Sequence, residues 1–197
     1  MLTFDDIVDS FARQSPKKIV VADDNRSLSY SCLQFNGNNL AIFFKKHRIF
    51  NGDRIAFLAY NRIEFAEILY ATSKLGVIVV PINFRLSKDE IFDIFKDANP
   101  KFFLYEKEFL KIKNHILKSN LIAKNRTLCV ENKNYQKIIS NSNNYKIYNL
   151  KNSKINDNCS LMYTSGTTGK PKGVIRNHEG YYNLSAITSI ELKIKKN

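Results

Sequence analysis

Glycine is scarce in this chain. There are seven in 197 residues, and three of them fall between Tyr163 and Val174, in YTSGTTGKPKGV. Other absences narrow the field. No apolar run approaches the roughly 20 residues needed to cross a bilayer, so no transmembrane segment is expected. The N-terminus, MLTFDDIVDSFARQ, carries acids early and lacks a basic stretch followed by an apolar one, so it does not read as a signal peptide. Cysteine is limited to Cys32, Cys129 and Cys159, with no CxxC or Cys/His spacing of the zinc-binding kind. Buried or partly buried reduced thiols, and hence a cytoplasmic location, are the expectation. Acids are outnumbered, 18 to 31, giving a formal charge of +13. The lysines are dispersed, however, and form a dense run only in KIKKN at the C-terminus. No nucleic-acid motif accompanies them, so the expectation is a weak, salt-sensitive attraction to polyanions rather than specific nucleic-acid binding.

What is present is an alternation of strand and helix patterns. Phe4, Ile7, Val8 and Phe11 recur at helical spacing across residues 3–14. KKIVVA (17–22) and LSY (28–30) flank the turn-rich DDNR and predict a hairpin, and a helical pattern follows over 31–47. Strand patterns then recur at 54–60, 77–81, 101–105 and 127–131, with helices predicted over 62–75, from Ser87 onward and near 107–118. Ser87 and Glu90 have capping-box spacing, and Asn99-Pro100 ends that helix. The apolar VIVVP stretch suits a strand covered on both faces. Residues 132–158, rich in Asn, Lys and Ser, predict a long loop with one short helix. SLMYTS and GVIRN predict a hairpin, followed by a last helix. There is no internal repeat. The fold class expected is α/β, a mostly parallel sheet flanked by helices over residues 1–158, with residues 159–197 starting a second, incomplete sheet around the glycine-rich hairpin.

The loop of that hairpin, SGTTGKPK, is built from donors. Gly166 and Gly169 admit positive φ and close approach of a ligand to the backbone. Successive amides in such a loop converge on an anion. Ser165, Thr167 and Thr168 add hydroxyls, Lys170 and Lys172 add charge, Pro171 limits collapse of the empty loop, and no carboxylate interrupts. A phosphate chain is the matching guest. The Walker pattern does not apply. Gly169-Lys170 is followed by Pro171 rather than Ser or Thr, Thr164 stands where the first glycine is required, and a strand rather than a helix follows.

YTSGTTGKPKGV resembles the phosphate-loop signature of the adenylate-forming superfamily, which includes acyl- and aryl-CoA synthetases, peptide-synthetase adenylation domains and luciferases. LSYSCL (28–33) and SKLGVIVVPINFRLSKDEI (73–91) resemble earlier segments of its acyl-CoA synthetase branch, and the likeness runs over essentially the whole chain. The resemblance implies ATP, Mg²⁺ and coenzyme A as reactants or cofactors, and activation of a carboxylic acid through an acyl-adenylate. It implies contacts to the β- and γ-phosphates from Thr164, Ser165, Gly166, Thr167, Thr168, Gly169, Lys170 and Lys172, with Gly173 letting the returning strand pack closely. None of these reads as a general base, and no catalytic or metal-ligating residue is expected here.

The family's adenine-binding segment, metal ligand, ribose-binding acid and C-terminal catalytic lysine have no counterpart in this sequence. The expectation is therefore an N-terminal part that does not complete adenylation alone, either a non-functional fragment or a half that assembles with a separately encoded remainder. The other readings are part of a peptide-synthetase-type adenylation domain, or a non-catalytic nucleotide- or phosphate-binding remnant. A medium- or long-chain fatty acid is the expected acid. His178 is read as a structural cap or surface residue rather than a substrate contact. His47 and His115 show no evident partner, and Tyr181-Tyr182 is read as packing. The pairs Asp5-Asp6 and Asp23-Asp24 are read as helix-start and turn chemistry.

Overall fold

The structure, a computed structural model, describes residues 2–24, 26–141, 150–164 and 171–193. A helix, α1 (Phe4–Gln14), leads into a short antiparallel hairpin, β1 (Ile19–Ala22) and β2 (Ser27–Ser29), and then into the long helix α2 (Tyr30–Lys46). From there strands and helices alternate: β3 (Arg54–Leu58), α3 (Glu64–Leu75), β4 (Ile78–Ile82), α4 (Lys88–Ala98), β5 (Phe102–Tyr105), α5 (Leu110–Lys118), β6 (Thr127–Cys129) and α6 (Lys133–Ile139). The chain closes with β7 (Asn158–Thr164), β8 (Lys172–Asn177) and α7 (His178–Glu191).

Local chemistry accounts for many of these boundaries. Thr3 caps α1 with a reciprocal bond from Asp6, and Ser87 does the same for α4 with Glu90. Helix α4 stops at Asn99, whose φ of 43° is left-handed, directly before Pro100. Helix α3 stops at Gly76, with φ of 68°, where a Cβ would fall 2.2 Å from the Asn51 amide nitrogen. Only glycine fits both constraints.

The main sheet has six strands in the order β6-β5-β3-β4-β7-β8. Strands β3 to β6 pair in parallel, and β7 adds in parallel to β4 through Val79 and Ser160. Strand β8 returns antiparallel to β7. The hairpin expected to open a second sheet is thus continuous with this one. Leu161 enters the core on the α4 side of the sheet and holds β7 against the existing edge.

Alternation along β3 fills both faces. Ile55 and Phe57 pack with Leu40 and Phe44 of α2, Ile68 and Ala71 of α3, and Tyr135 of α6. Ala56 and Leu58 pack with Ile91, Ile94 and Phe95 of α4 and Ile116 of α5. Each such large side chain contributes about 1.5–3 kcal/mol by leaving water. A smaller cluster of Val8, Leu28, Leu33, Ile63 and Tyr70 fixes α1 and the first hairpin to the body. The Asn-rich stretch contains the short helix expected of it, α6, and both Tyr135 and Leu150 lie in the core, while residues 142–149 fall outside the described residues. No helix among the described residues is long and apolar enough to cross a membrane.

Candidate functional site

The β7–β8 hairpin places the candidate loop at one edge of the sheet. Strand β7 runs parallel to β4, so its last residue, Thr164, leaves the sheet where β3 and β4 also end. Thr164 sits opposite Lys172 in the ladder, and both are exposed at the mouth of the hairpin. Ser165, Gly166, Thr167, Thr168, Gly169 and Lys170 lie outside the described residues. Of the eight expected phosphate contacts, the structure therefore places two, and it brings those two together.

The neck below the loop is specifically built. Tyr163 faces Gly173 across the ladder, and a Cβ on Gly173 would meet Leu161 Cδ1 at 2.8 Å and the Tyr163 ring at 3.3 Å. A glycine here allows the two strands to close over that ring. The Tyr163 hydroxyl donates to Asp97 on α4. Burial and the Asp97 carboxylate together push the Tyr163 hydroxyl above the ordinary tyrosine range. The neck is therefore tied to the helix packed under it.

Beside the hairpin lies a crevice of about 410 Å³, lined by Tyr60, Asn61, Arg62, Asn83, Phe84 and Tyr163, among others. Its position follows from topology. The chain leaving β3 enters α3 on one face, and the chain leaving β4 enters α4 on the other. Such a parting of neighbouring connections opens a cleft at the carboxyl ends of parallel strands, the usual place for a ligand in this kind of sheet. Tyr60 meets Phe84 edge-on at 4.7 Å. Arg62 is committed to the protein. Its guanidinium bonds Glu64 at 3.1 Å and Glu106 at 2.7 Å, and these carboxylates hold it firmly charged. Glu106 also accepts from the Tyr60 amide at 2.9 Å, which fixes the crevice wall. The sequence reading missed this wall. The signal was available in the polar residues directly after each apolar strand, Asn61-Arg62 and Asn83.

A second polar centre was also missed. Asp5 is fully buried, and its Oδ1 accepts hydroxyls from Thr3 at 2.7 Å, Ser73 at 2.6 Å and Ser153 at 3.2 Å. Lys74 and Lys151 lie 3.8 Å from its Oδ2. Both acids lie in the first turn of α1, as the helix-start reading expects, and Asp6 also completes the Thr3 capping box. His178 is neither the cap nor a surface residue. Asn177 caps α7 by accepting from the Gly180 amide, and His178 is buried behind it. Burial pushes the His178 imidazole below its ordinary value.

Among the other singled-out groups, Tyr181 shares a hydrogen bond with the Ser160 hydroxyl at 2.9 Å. His47 Nδ1 lies 2.9 Å from the Phe43 carbonyl oxygen, and His115 packs against Phe92. Both histidines thus have the partners that sequence did not reveal. The cysteines are free. Cys32 is exposed, contrary to expectation, and burial pushes the half-buried Cys159 up to about 11. No group of three or more His, Cys, Asp or Glu placed to hold a metal occurs among the described residues.

The chain is 23% identical over 193 residues to a 3-oxocholest-4-en-26-oate–CoA ligase of Rhodococcus rhodochrous, a match covering 93% of this chain and 34% of that protein. It is 27% identical over 175 residues to the fatty acid–[acyl-carrier-protein] ligase ScoC of Streptomyces coeruleorubidus, covering 88% and 32%. Against the long-chain-fatty-acid–CoA ligase FadD13 of Mycobacterium tuberculosis it is 29% identical over 160 residues, covering 81% and 31%. The chain thus spans about a third of the length of these relatives. Among solved structures, the N-terminal domain of FACL13 from Mycobacterium tuberculosis superposes with a TM-score of 0.78 at 25% identity, over 92% of this chain and 46% of that one. A putative long-chain-fatty-acid CoA ligase from Rhodopseudomonas palustris gives 0.82 at 18% identity, over 100% and 49%, a likeness of fold. The profile of the AMP-binding enzymes matches residues 8–195, almost the full chain, and the protein belongs to that family.

Proposed function

We propose that this chain is the N-terminal, triphosphate-gripping part of an ATP-dependent acid–thiol ligase, in which a carboxylic acid is activated as its adenylate and passed to a thiol. The observation that carries the reading is the donor-only loop set on a braced hairpin beside the crevice at the carboxyl ends of β3 and β4. In the activation step a carboxylate approaches an already anionic triphosphate, and charge builds on the departing pyrophosphate. Fixed donors offset that charge without reorganising. Lys172, with Thr164 across the ladder, stands at the mouth of the loop, and Lys170 and the loop amides and hydroxyls complete the set. Residues 159–197 are the start of a second subdomain in this reading, although their strands extend the first sheet.

The loop fits a phosphate chain but brings no carboxylate for Mg²⁺, so the metal takes its protein ligands from elsewhere. A fatty acid is the proposed acid and coenzyme A the proposed thiol, on the strength of the relatives' names. A cytoplasmic location accords with the free cysteines. The chain by itself does not complete adenylation, because positioning of both reactants, worth about 7–11 kcal/mol of barrier, needs groups it lacks.

The test has two arms. Pyrophosphate added to the labelled protein is expected to shift the amide signals of residues 165–173, weakly and with strong salt dependence, and Lys170→Ala with Lys172→Ala is expected to abolish the shift. Unchanged signals in the folded parent protein sink the reading. Acid-dependent exchange of labelled pyrophosphate into ATP, run with fatty, aryl and amino acids, is expected to stay at background. Exchange by the 197-residue chain that the double substitution removes overturns the claim that it is inactive alone.

A further inference from the structure

The outer half of the β7–β8 hairpin has little beneath it. Strand β7 meets β4 at Val79 and Ser160, well short of Thr164, and β8 pairs with β7 alone. From Lys172 to Arg176 every residue of β8 is exposed. Between the neck of the hairpin and α4 lies a cavity of about 370 Å³, lined by Asp93, Ile94, Lys96, Asp97, Tyr163 and Pro171. Among the described residues, the hydrogen bond that crosses it runs from the Tyr163 hydroxyl to Asp97 Oδ2. The Tyr163 ring is held from the other side as well. A Cβ on Gly173 would lie 3.3 Å from both Cε1 and Cζ, so the ring rests against β8 as well as on its own strand. Thr164 and Lys172 face each other one step further out. Charge gives no reason for an acid here. Asp93 and Asp97 share the cavity with Pro171, inside the donor-only stretch, and carboxylates there repel a phosphate chain. What Asp97 does make is the bond to Tyr163.

We propose that Asp97 is a positioning residue for the phosphate grip: by accepting from the Tyr163 hydroxyl it fixes the ring under Gly173, and the ring sets where Thr164 and Lys172 stand. The inference rests on the proposed ligase reading and adds to it a residue of α4, outside the glycine-rich stretch. Asp97 acts through Tyr163 and not on the phosphate. Binding groups have to be held to within about 0.5 Å by the residues that support them, and on this bare hairpin Tyr163 is the side chain placed to do so. An uncharged acceptor at position 97 serves the purpose as well as a carboxylate, which separates support from charge.

Pyrophosphate titrated into the labelled 197-residue chain, and followed at the amides of Thr164, Lys172 and Gly173, is the test. Tyr163→Phe and Asp97→Ala are each expected to weaken the apparent affinity about fivefold, the equivalent of one hydrogen bond. The two together are expected to weaken it no further, because both remove the same bond. Asp97→Asn, which keeps an acceptor, is expected to bind at least as well as the parent. Tyr181→Phe removes the hydroxyl that shares a hydrogen bond with Ser160 at 2.9 Å, at the inner end of the hairpin. It is expected to lower the urea midpoint and leave the affinity unchanged. Amide exchange of residues 54–105 checks that the body is folded in each variant, and Tyr163→Phe against Asp97→Asn decides the matter even where Asp97→Ala unfolds. Equal affinities in the parent and in Tyr163→Phe overturn the inference. So does a loss in Asp97→Asn as large as that in Tyr163→Phe. Tighter binding by both Asp97→Ala and Asp97→Asn overturns it by making Asp97 a repelling charge only, and an equal loss in Tyr181→Phe overturns it by making the bond one fastening among several. The ligase reading fails separately. No amide shift in the folded parent sinks that reading and this inference together, whereas clear shifts with equal affinities sink the inference alone.

Discussion

Tyr163 and Gly173 face each other across the β7–β8 ladder so closely that any Cβ on residue 173 would press on the Tyr163 ring and on Leu161. Gly173→Ala is expected to destabilise the protein by about 1 kcal/mol, at the low end for overpacking because the Leu161 tip is able to yield. Chemical denaturation checks it. Combining Gly173→Ala with Leu161→Ala is expected to cost less than the sum of the two, since one relieves the other's contact. An unshifted midpoint for Gly173→Ala removes the close-packing account of the neck.

A second prediction concerns Tyr135, fully buried on α6, whose hydroxyl donates to Glu67 at 2.6 Å. Burial pushes the Glu67 carboxyl above its ordinary value, although bonds from Tyr135 and Asn36 pull it down. A carboxyl raised in the folded state contributes stability at pH below its unfolded value of about 4.5, and that contribution is lost as pH rises through the folded value. Tyr135→Phe takes a donor from the charged form and raises the carboxyl further. The expected cost is about 1–3 kcal/mol near neutral pH and less near pH 4. Urea midpoints compared at pH 4 and pH 7 decide it, and an equal loss at both would show that Glu67 is not the group responsible.

Asp9 carries the opposite sign. Burial raises its carboxyl, but bonds from Lys74, from the Tyr70 hydroxyl at 2.6 Å and from Gln34 at 2.8 Å more than offset that and leave it lowered. Its contribution is present above the unfolded value of about 3.8 and is lost as pH falls through the folded value. Asp9→Asn is expected to cost about 1–3 kcal/mol at pH 7 and to flatten the acid limb of the stability curve. Thermal melts from pH 2 to pH 7 give the comparison, and an unchanged acid limb contradicts it.

The elements of the fold were legible because they rest on local pattern. The Ser87–Glu90 capping box, the stop at Asn99-Pro100 and the apolar stretches of β3 to β5 fall within a residue or two of expectation. The hairpin was legible for the same reason. What escaped depends on contacts distant in sequence. Asp5 looks like Asp6 in the sequence, and only the arrival of Ser73 and Ser153, 68 and 148 residues away, makes it a buried acceptor. Tyr135 sits in an Asn-rich stretch without periodicity, and Glu67 on another helix gives its hydroxyl a place. The joining of β7 to β4 spans the chain from Val79 to Ser160, and no local signal says which sheet a strand enters. The glycine-rich loop was the reverse case. Its proposed chemistry comes from eight consecutive residues, and the structure adds the Tyr163–Asp97 hydrogen bond at the neck of the hairpin.

The single Val79–Ser160 register pair has a consequence for how the molecule is made. Strands β3 to β5 are joined by four or five register pairs at each junction, all closed within residues 54–105. A ribosome delivers that body, with its short loops and both flanking layers started, well before it reaches Ser160. Contacts near in sequence form early, and the long-range pairing of β7 comes late. The β7–β8 hairpin is therefore added to an edge that has already set, so a lesion in it leaves most of the nascent protein with its core intact.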